Sequence, residues 1–575
     1  MSDPIIPDPR RAEYWSRLLT SIPSVSGSAD EASFADRLVP ALAESPAFRS
    51  DRFSAWTIPV PGGREGLACV VALVRGRGRA TVLLTGHFDT VPIDDYGDLQ
   101  ALALDPDSLK RGLLERLRRS ASTAAEKRAL ADLEGTDYLP GRGLLDMKAG
   151  LGAGLAVMEA FATAASAPGA AQASAAETSA GDSSAARSEA LGNLLFVAVP
   201  DEEVNSVGAR AAAPGLAEIA RAKGLDIVAA INLDATADDG DGRIGRSVAL
   251  GTIGKILPSA LVVGQATHAG YSFNGIGACA VAGGIAAEVE WSPELTDRTG
   301  GETGAGPTLL GMKDSKTVYN VTTPARVWLY WNVSTHRRSP ADVLAALTGL
   351  VGRALAPLMD RLAGHRRAAG HAGDVPTFEV MTFDRLRAAV VGRDASARRA
   401  LDGYAAEVAR AGHSLPEQCR LITERLWDLS GRGHPAVILG FASVPYLPTS
   451  LGRDPNGAIL EAAVHGAAEA IARRGGGGIV TPRFFLGISD MSFFGQADEA
   501  DVAAIAANTP AWGRGLHWTK GHAFGGVPIV NAGPWGRDYH TVLERLHVPY
   551  AFTTLPELVA DIALRVLGEH PACGA

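Results

Sequence analysis

Residues 194–203, LLFVAVPDEE, carry an apolar run of strand length into three consecutive carboxylates, Asp201, Glu202 and Glu203. Carboxylates at the mouth of a buried strand are costly unless a cation meets them. His87 and Asp89 stand two apart after another apolar run, residues 80–84. In an extended segment they share a face, so one can ligate a metal while the other hydrogen-bonds the imidazole and fixes its tautomer. Asp146, ahead of Met147-Lys148 and a helix-like stretch, reads as a helix N-cap or as a carboxylate bridging two metals. Asp234 closes the apolar run 227–233, and His540 stands in GPWGRDYHT, with His517, His522 and His547 as local competitors. Taken singly, each has a plain alternative: an exposed loop pair, a solvated acidic turn, a surface histidine. Taken together, one or two histidines with several carboxylates and no cysteine form a hard-to-borderline ligand set that suits a pair of Zn²⁺, Mn²⁺ or Co²⁺ ions. Two such ions, about 3.5–4 Å apart, hold and acidify a water and polarise a carbonyl. An unligated carboxylate must then move the proton to the leaving amine, and adjacent Glu202 and Glu203 offer base and ligand between them.

The rest of the chain must bring these residues together. At 575 residues it is too long for one core, so two or more domains are expected. A net charge of −9 argues against a nucleic-acid partner. Cys69, Cys279, Cys419 and Cys573 are scattered without a CxxC, which fits a reducing compartment and argues against a disulfide framework and a thiolate zinc site. The opening MSDPIIPDPR has no basic-then-apolar signal pattern and no apolar run reaches membrane-spanning length, so a cytoplasmic protein without a membrane span is expected. The glycine run at 475–478 lacks the Lys-Ser/Thr of a phosphate-binding loop and reads as a turn.

Residues 11–19 read as an opening helix, with Asp30 capping a second through Leu42. Residues 67–75 and 80–84 read as strands, 98–138 as a helical surface insertion, and 163–190, nearly all Ala, Ser, Gly and Thr, as a flexible loop or poorly ordered helix. Gly150, Gly152 and Gly154 would let their helix approach a sheet closely. From residue 250 the texture changes to that of an exposed antiparallel sheet. A β-α-β-β-α-β order suggests a small two-layer domain whose last strand is 436–441. α/β texture then returns, with a strand leading into Asp490. The domain reading is 1–249 and 448–575 for one unit and 250–447 for the other, the latter with a long insertion near 364–433.

The motifs Gly86-His87-Phe88-Asp89-Thr90-Val91-Pro92, Gly141-Arg142-Gly143 through Asp146-Met147-Lys148, Asp201-Glu202-Glu203, Thr267-His268-Ala269, Tyr319-Asn320-Val321, Gly487-Ile488-Ser489-Asp490 and His540-Thr541 with Glu544 resemble, in order and through most of the chain, the M20 family of metallopeptidases and amidohydrolases. The long insertions are most similar to its arginine-utilisation (RocB-like) subgroup. The resemblance implies a mixed-sheet α/β/α di-metal hydrolase domain with an inserted smaller α+β, ferredoxin-like lid or dimerisation domain. It also implies that His87 and His540 each bind one metal, that Asp146 bridges them, and that Glu203 and Asp234 complete the two sets. Asp89 would orient His87, Glu202 would be general base and acid, and His268 would stabilise the oxyanion, often across a dimer interface. Asn320 and Asp490 match positions near the substrate. Two departures stand out: Asp234 lies in Asn-Leu-Asp-Ala-Thr where many relatives have Glu-Pro-Thr, and Asn332-Val333-Ser334-Thr335-His336-Arg337 replaces an Asp-x-Arg segment. The expectation is a hydrolase that uses two divalent ions, Zn²⁺ foremost with Mn²⁺ or Co²⁺ as alternatives, to cleave an amide or peptide bond in a small amino-acid-derived substrate or short peptide. Homodimerisation is left open. The competing class is a non-catalytic amino-acid-binding or regulatory protein on the same scaffold. Loss of the base or of a ligand would mark it, and all of them stand in this sequence.

Overall fold

Strands buried on both faces read as unbroken apolar runs, and the chain has several. The computed structural model describes residues 5–166, 192–238, 245–299, 301–452, 455–495, 499–514, 516 and 527–570. Most of the Ala/Ser-rich stretch, His517, His522 and Cys573 lie outside the described residues. The helix Ala149–Ala165 runs three residues into the stretch read as a flexible loop or poorly ordered helix. Two compact units form: residues 1–252, 449–496 and 521–575, and residues 253–448 and 497–520. The segment 497–520 therefore departs from the sequence reading, which put it with the first unit. Its helix Glu499–Asn508 buries Ile505 in the second unit's core, a long-range partnership that local pattern does not encode.

The first unit is built on a six-stranded mixed sheet in the order Phe53–Pro59, Ala68–Arg75, Asn193–Val199, Ala80–His87, Asp226–Asn232, Ile529–Asn531. The last four are mutually parallel, so their carboxyl ends share one edge. Alternate residues such as Val70, Ala72, Leu194, Phe196 and Leu84 face a core shared with the helices Pro9–Ser21, Phe34–Glu44, Ala149–Ala165 and Leu555–Gly568. On the other face, Cys69 donates its thiol hydrogen to the Gly208 carbonyl of the helix Val207–Lys223. The result is an α/β/α sandwich. Ser28, and not Asp30, caps the helical turn Ala29–Ala32, because the serine hydroxyl reaches the Glu31 amide. The segment before Asp490 makes only isolated bridges, at Val480 and Phe485, in place of the expected strand. The insertion after Asp94 carries its own small core, with Tyr96, Leu109, Leu113, Leu117, Ala129 and Leu133 packed between the helices Pro106–Ser120 and Ala124–Glu134.

In the second unit the sheet order is Thr308–Asp314, Arg326–Thr335, Pro258–Val263, Ala436–Phe441, Glu379–Thr382. With the helices Ala278–Val289 and Pro340–Ala368 on one face, its first four strands are the ferredoxin-like arrangement expected from the element order. The expectation of an exposed sheet is corrected. The helices Phe383–Val391, Ala395–Arg410 and Leu415–Ser430, which lie in the 364–433 insertion, cover the opposite face through Leu386, Leu401, Ile422 and Leu426. Pro258–Val263 is accordingly buried along its whole length, and the unit has three layers where two were expected. The helix Pro340–Ala368 is long and apolar enough by composition to cross a membrane, but Val343, Leu347, Leu350 and Val351 are buried in this core.

Candidate metal centre

The parallel strands of the first unit deliver the polar residues to one place. His87 closes its strand in register with Val199, and Thr85 pairs with Asn232. Asp201–Glu203 and Asp234 thus leave the sheet beside His87. Asp146 comes from the kinked segment Leu144–Lys148 at the start of the glycine-bearing helix. A Cβ on Gly150 would lie 2.0 Å from the Leu233 carbonyl oxygen, which is why that helix start can sit against the strand that leads to Asp234. Gly152 serves a different contact from the one expected, since its Cβ would meet Ser16 Oγ at 2.2 Å on the first helix and not the sheet. His540 stands in the connection between Trp535–Arg537 and Arg545–His547, two strands of a small sheet.

Asp146 faces both histidines with different oxygens. Its Oδ1 is 3.2 Å from His87 Nε2 and its Oδ2 is 3.0 Å from His540 Nε2. Asp234 Oδ1 lies 3.8 Å from His87 Nε2, and Glu203 Oε1 lies 3.1 Å from His540 Nε2. Two groups able to hold a metal ion follow, His87–Asp146–Asp234 and Asp146–Glu203–His540, with Asp146 common to both. The imidazole and carboxylate donors, without a thiolate, fit a pair of divalent cations. Glu202 belongs to neither group; its Oε2 is 4.0 Å from His87 Nε2.

Electrostatics point the same way. Burial and the neighbouring Asp490, Asp234 and Glu203 carboxylates hold Glu202 well above its ordinary value, against the pull of His87. Burial raises Asp234 to about 7 and also raises Glu203. Burial alone would push Asp146 up and both histidines down. The contacts to His540 and His87 instead hold Asp146 far below the carboxylate range, His87 rises well above its usual value, and His540 rises to about 10. Buried carboxylates outnumber imidazoles here, and added positive charge would be stabilised.

Asp89 reaches His87 Nδ1 mainly through its backbone oxygen, at 3.1 Å; its Oδ1 is 3.5 Å away. The Asp89 carboxylate instead accepts from the Glu202 and Glu203 amides at 3.0 and 3.2 Å and from Ser26 Oγ at 2.7 Å, so it shapes the acidic turn as much as it orients the imidazole. Asp201 adopts φ 65°, and its amide donates to Glu31 Oε1 at 2.9 Å, which gives it a part in that turn. Glu31, Ser26 and Asn531 were not singled out from the sequence. Asn531 accepts the Asp234 amide and donates to its carbonyl, a contact between segments nearly 300 residues apart that no local signal announces. Asp490 is buried beside the acidic cluster, and burial brings it to about 7 despite a hydrogen bond to Ser206. His547 is held in the small sheet, with Nδ1 accepting the Tyr550 amide. His268 and Asn320 belong to the second unit. There their exposed loops pair, with the Ala269 amide on the Val321 carbonyl and a bridge between His268 and Thr322.

No protein-family model matches the chain. The fold, a mixed sheet with a ferredoxin-like unit inserted in the chain, is similar to that of a solved M20 family structure. The M20 family metallo-carboxypeptidase of Sulfolobus solfataricus superposes with a TM-score of 0.50 at 12% identity, covering 96% of this chain and 99% of that one. Among curated proteins the chain is similar to two from Bacillus subtilis (strain 168). It is 26% identical to RocB over 575 residues, 97% of this chain and 95% of RocB. It is 29% identical to the uncharacterized protein YqjN over 571 residues, 97% of each.

Proposed function

We propose that the chain is a cytoplasmic metal-dependent hydrolase that cleaves an amide or peptide bond in a small amino-acid-derived substrate. The observation that carries the reading is Asp146, whose two oxygens turn toward His87 and His540 in two ligand groups that share it. His87, Asp146 and Asp234 would hold one divalent ion, and Asp146, Glu203 and His540 the other, Zn²⁺ by donor chemistry with Mn²⁺ or Co²⁺ able to substitute. When bound, the ions supply Lewis acidity to the scissile carbonyl and to the attacking water. Glu202, buried and outside both ligand groups, takes the proton from that water and passes it to the leaving amine nitrogen; its raised proton affinity suits both transfers. Asp89 and Glu31 hold the acidic turn so that Glu202 and Glu203 take different directions and different tasks.

The test is a hydrolysis screen of N-acyl amino acids and dipeptides, Arg-containing compounds included because the motif resemblance leans to the arginine-utilisation subgroup. Chelator-stripped protein is loaded separately with Zn²⁺, Mn²⁺ and Co²⁺. Metal-dependent release of a free amine from at least one compound class is expected. Tight binding of such compounds by the metal-loaded protein with no turnover of any would overturn the reading in favour of a binding protein.

A further inference from the structure

The connection that carries His540 has an unusual backbone. Asp538 and His540 sit at φ 54° and 62°, where residues with a Cβ are strained, and such conformations persist only when the surroundings over-determine them. The surroundings here are supplied by the helical insertion. Asp132, on the helix Ala124–Glu134, accepts from Arg537 Nη1 at 2.8 Å and from Arg545 Nε and Nη2 at 2.8 and 2.6 Å, gripping both strands that flank the connection. Arg545 is fully buried and turns its Nη1 inward to Asp538 at 2.6 Å and to the Leu543 carbonyl at 2.9 Å. At the far end of the connection Glu544 accepts from Arg142 Nη1 at 2.8 Å, while Arg142 Nη2 holds Asp95 at the start of the insertion. Between these polar anchors Val542 and Leu543 pack against the insertion's own core.

We propose that the insertion at residues 94–134 is a clamp that presets the ligand geometry on the His540 side of the centre, with Asp132 as its principal positioning residue. The proposal rests on the two-ion reading above and assigns a task to a segment that contributes no ligand itself. A carboxylate shared between the buried Arg545 and the part-buried Arg537 guanidinium groups fixes the strand pair in one geometry, and neutralising it removes the negative charge the two arginines share. The effect should be local, because His87 lies in the large sheet and Asp234 is held by Asn531 at that sheet's edge.

Zn²⁺ titration of chelator-stripped protein by calorimetry, with His540→Ala and His87→Ala to assign the two sites, provides the test. Asp132→Asn is expected to weaken the His540-side ion about 10–100-fold, the range for losing a group that supports a metal ligand. The His87-side ion should be left within a factor of about two. Asp132→Glu, which keeps the carboxylate, should recover most of the loss. Wild-type affinity at both sites in Asp132→Asn, an equal fall at both, or no recovery in Asp132→Glu would each overturn the proposal. If Asp132→Asn does not fold by circular dichroism, Val542→Ala loosens the same connection and must show the same one-sided loss. Wild-type protein that takes up fewer than two ions, or an unaltered isotherm in His540→Ala, would instead overturn the two-ion reading beneath it.

Discussion

Gly150→Ala is a small change that separates fold stability from the metal centre. The added Cβ would stand 2.0 Å from the Leu233 carbonyl oxygen and 3.1 Å from Pro534 Cδ. Carbon–oxygen contacts settle near about 3.3 Å, so the helix start and the strand end must part by roughly 1.3 Å. Overpacking of this kind costs about 1–3 kcal/mol, and alanine returns up to about 1 kcal/mol of helix propensity. The net loss is then about 3 kcal/mol at most, and the protein should fold. The site is less forgiving. Leu233 adjoins Asp234, whose carboxylate stands 3.8 Å from His87 Nε2, and ligand constellations tolerate displacements of only about 0.5 Å. Calorimetric titration of stripped protein should therefore show the His87-side ion bound at least about 10-fold more weakly, alongside a modest fall in the thermal midpoint. Gly152→Ala is the control, because its Cβ would meet Ser16 Oγ at 2.2 Å on the first helix and so strains the core without touching a ligand strand. Wild-type affinity for both ions in Gly150→Ala, or an equal loss in Gly152→Ala, would refute the reasoning.

Three further outcomes are expected. Glu202→Gln should retain both ions by metal analysis while turnover on a proven substrate falls about 10²–10⁴-fold, the usual contribution of a general base; unchanged turnover would remove Glu202 from the mechanism. Dialysis against chelator should lower the thermal midpoint reversibly, since ligands that bind only the folded state add about 4 kcal/mol at a thousand times their dissociation constant; a midpoint indifferent to metal would count against a tight site. His547 is pushed down to about 4 by burial and by the nearby Arg246 and Arg537. Its folded value lies below its unfolded one, so the unfolded chain gains a proton first as the solution is acidified. Stability should then be full above about pH 6.5 and fall by up to about 3 kcal/mol toward pH 4, less to the extent that solvent screens the ring. His547→Gln should flatten that limb of a denaturant-midpoint profile, and an unaltered profile would exclude the histidine as its cause.

Local pattern is enough to single out several of the residues that the fold gathers. A strand buried on both faces tolerates only apolar side chains, so His87, the Asp201–Glu203 run and Asp234 stand out in the bare sequence at the ends of such runs. The ferredoxin-like order of the second unit is legible for a similar reason, because element type follows from hydrophobic period. The tertiary structure decided everything that depends on long-range partners. It distinguished His540, beside Asp146 and Glu203, from His547, which is held by the Tyr550 amide in the small sheet. Asp89 proved to hold the acidic turn as well as the imidazole, through amides more than a hundred residues away. The helices of the 364–433 insertion became the second cover of a sheet that looked exposed, and residues 497–520 returned to the second unit. Asp132 lies in a stretch that by pattern is only a helical surface insertion, whereas its partners Arg537 and Arg545 arrive from the other end of the chain. Sequence period reports which face of an element is apolar; it carries no information about which distant segment will cover that face or meet that charge, because those choices are made by packing the whole chain at once.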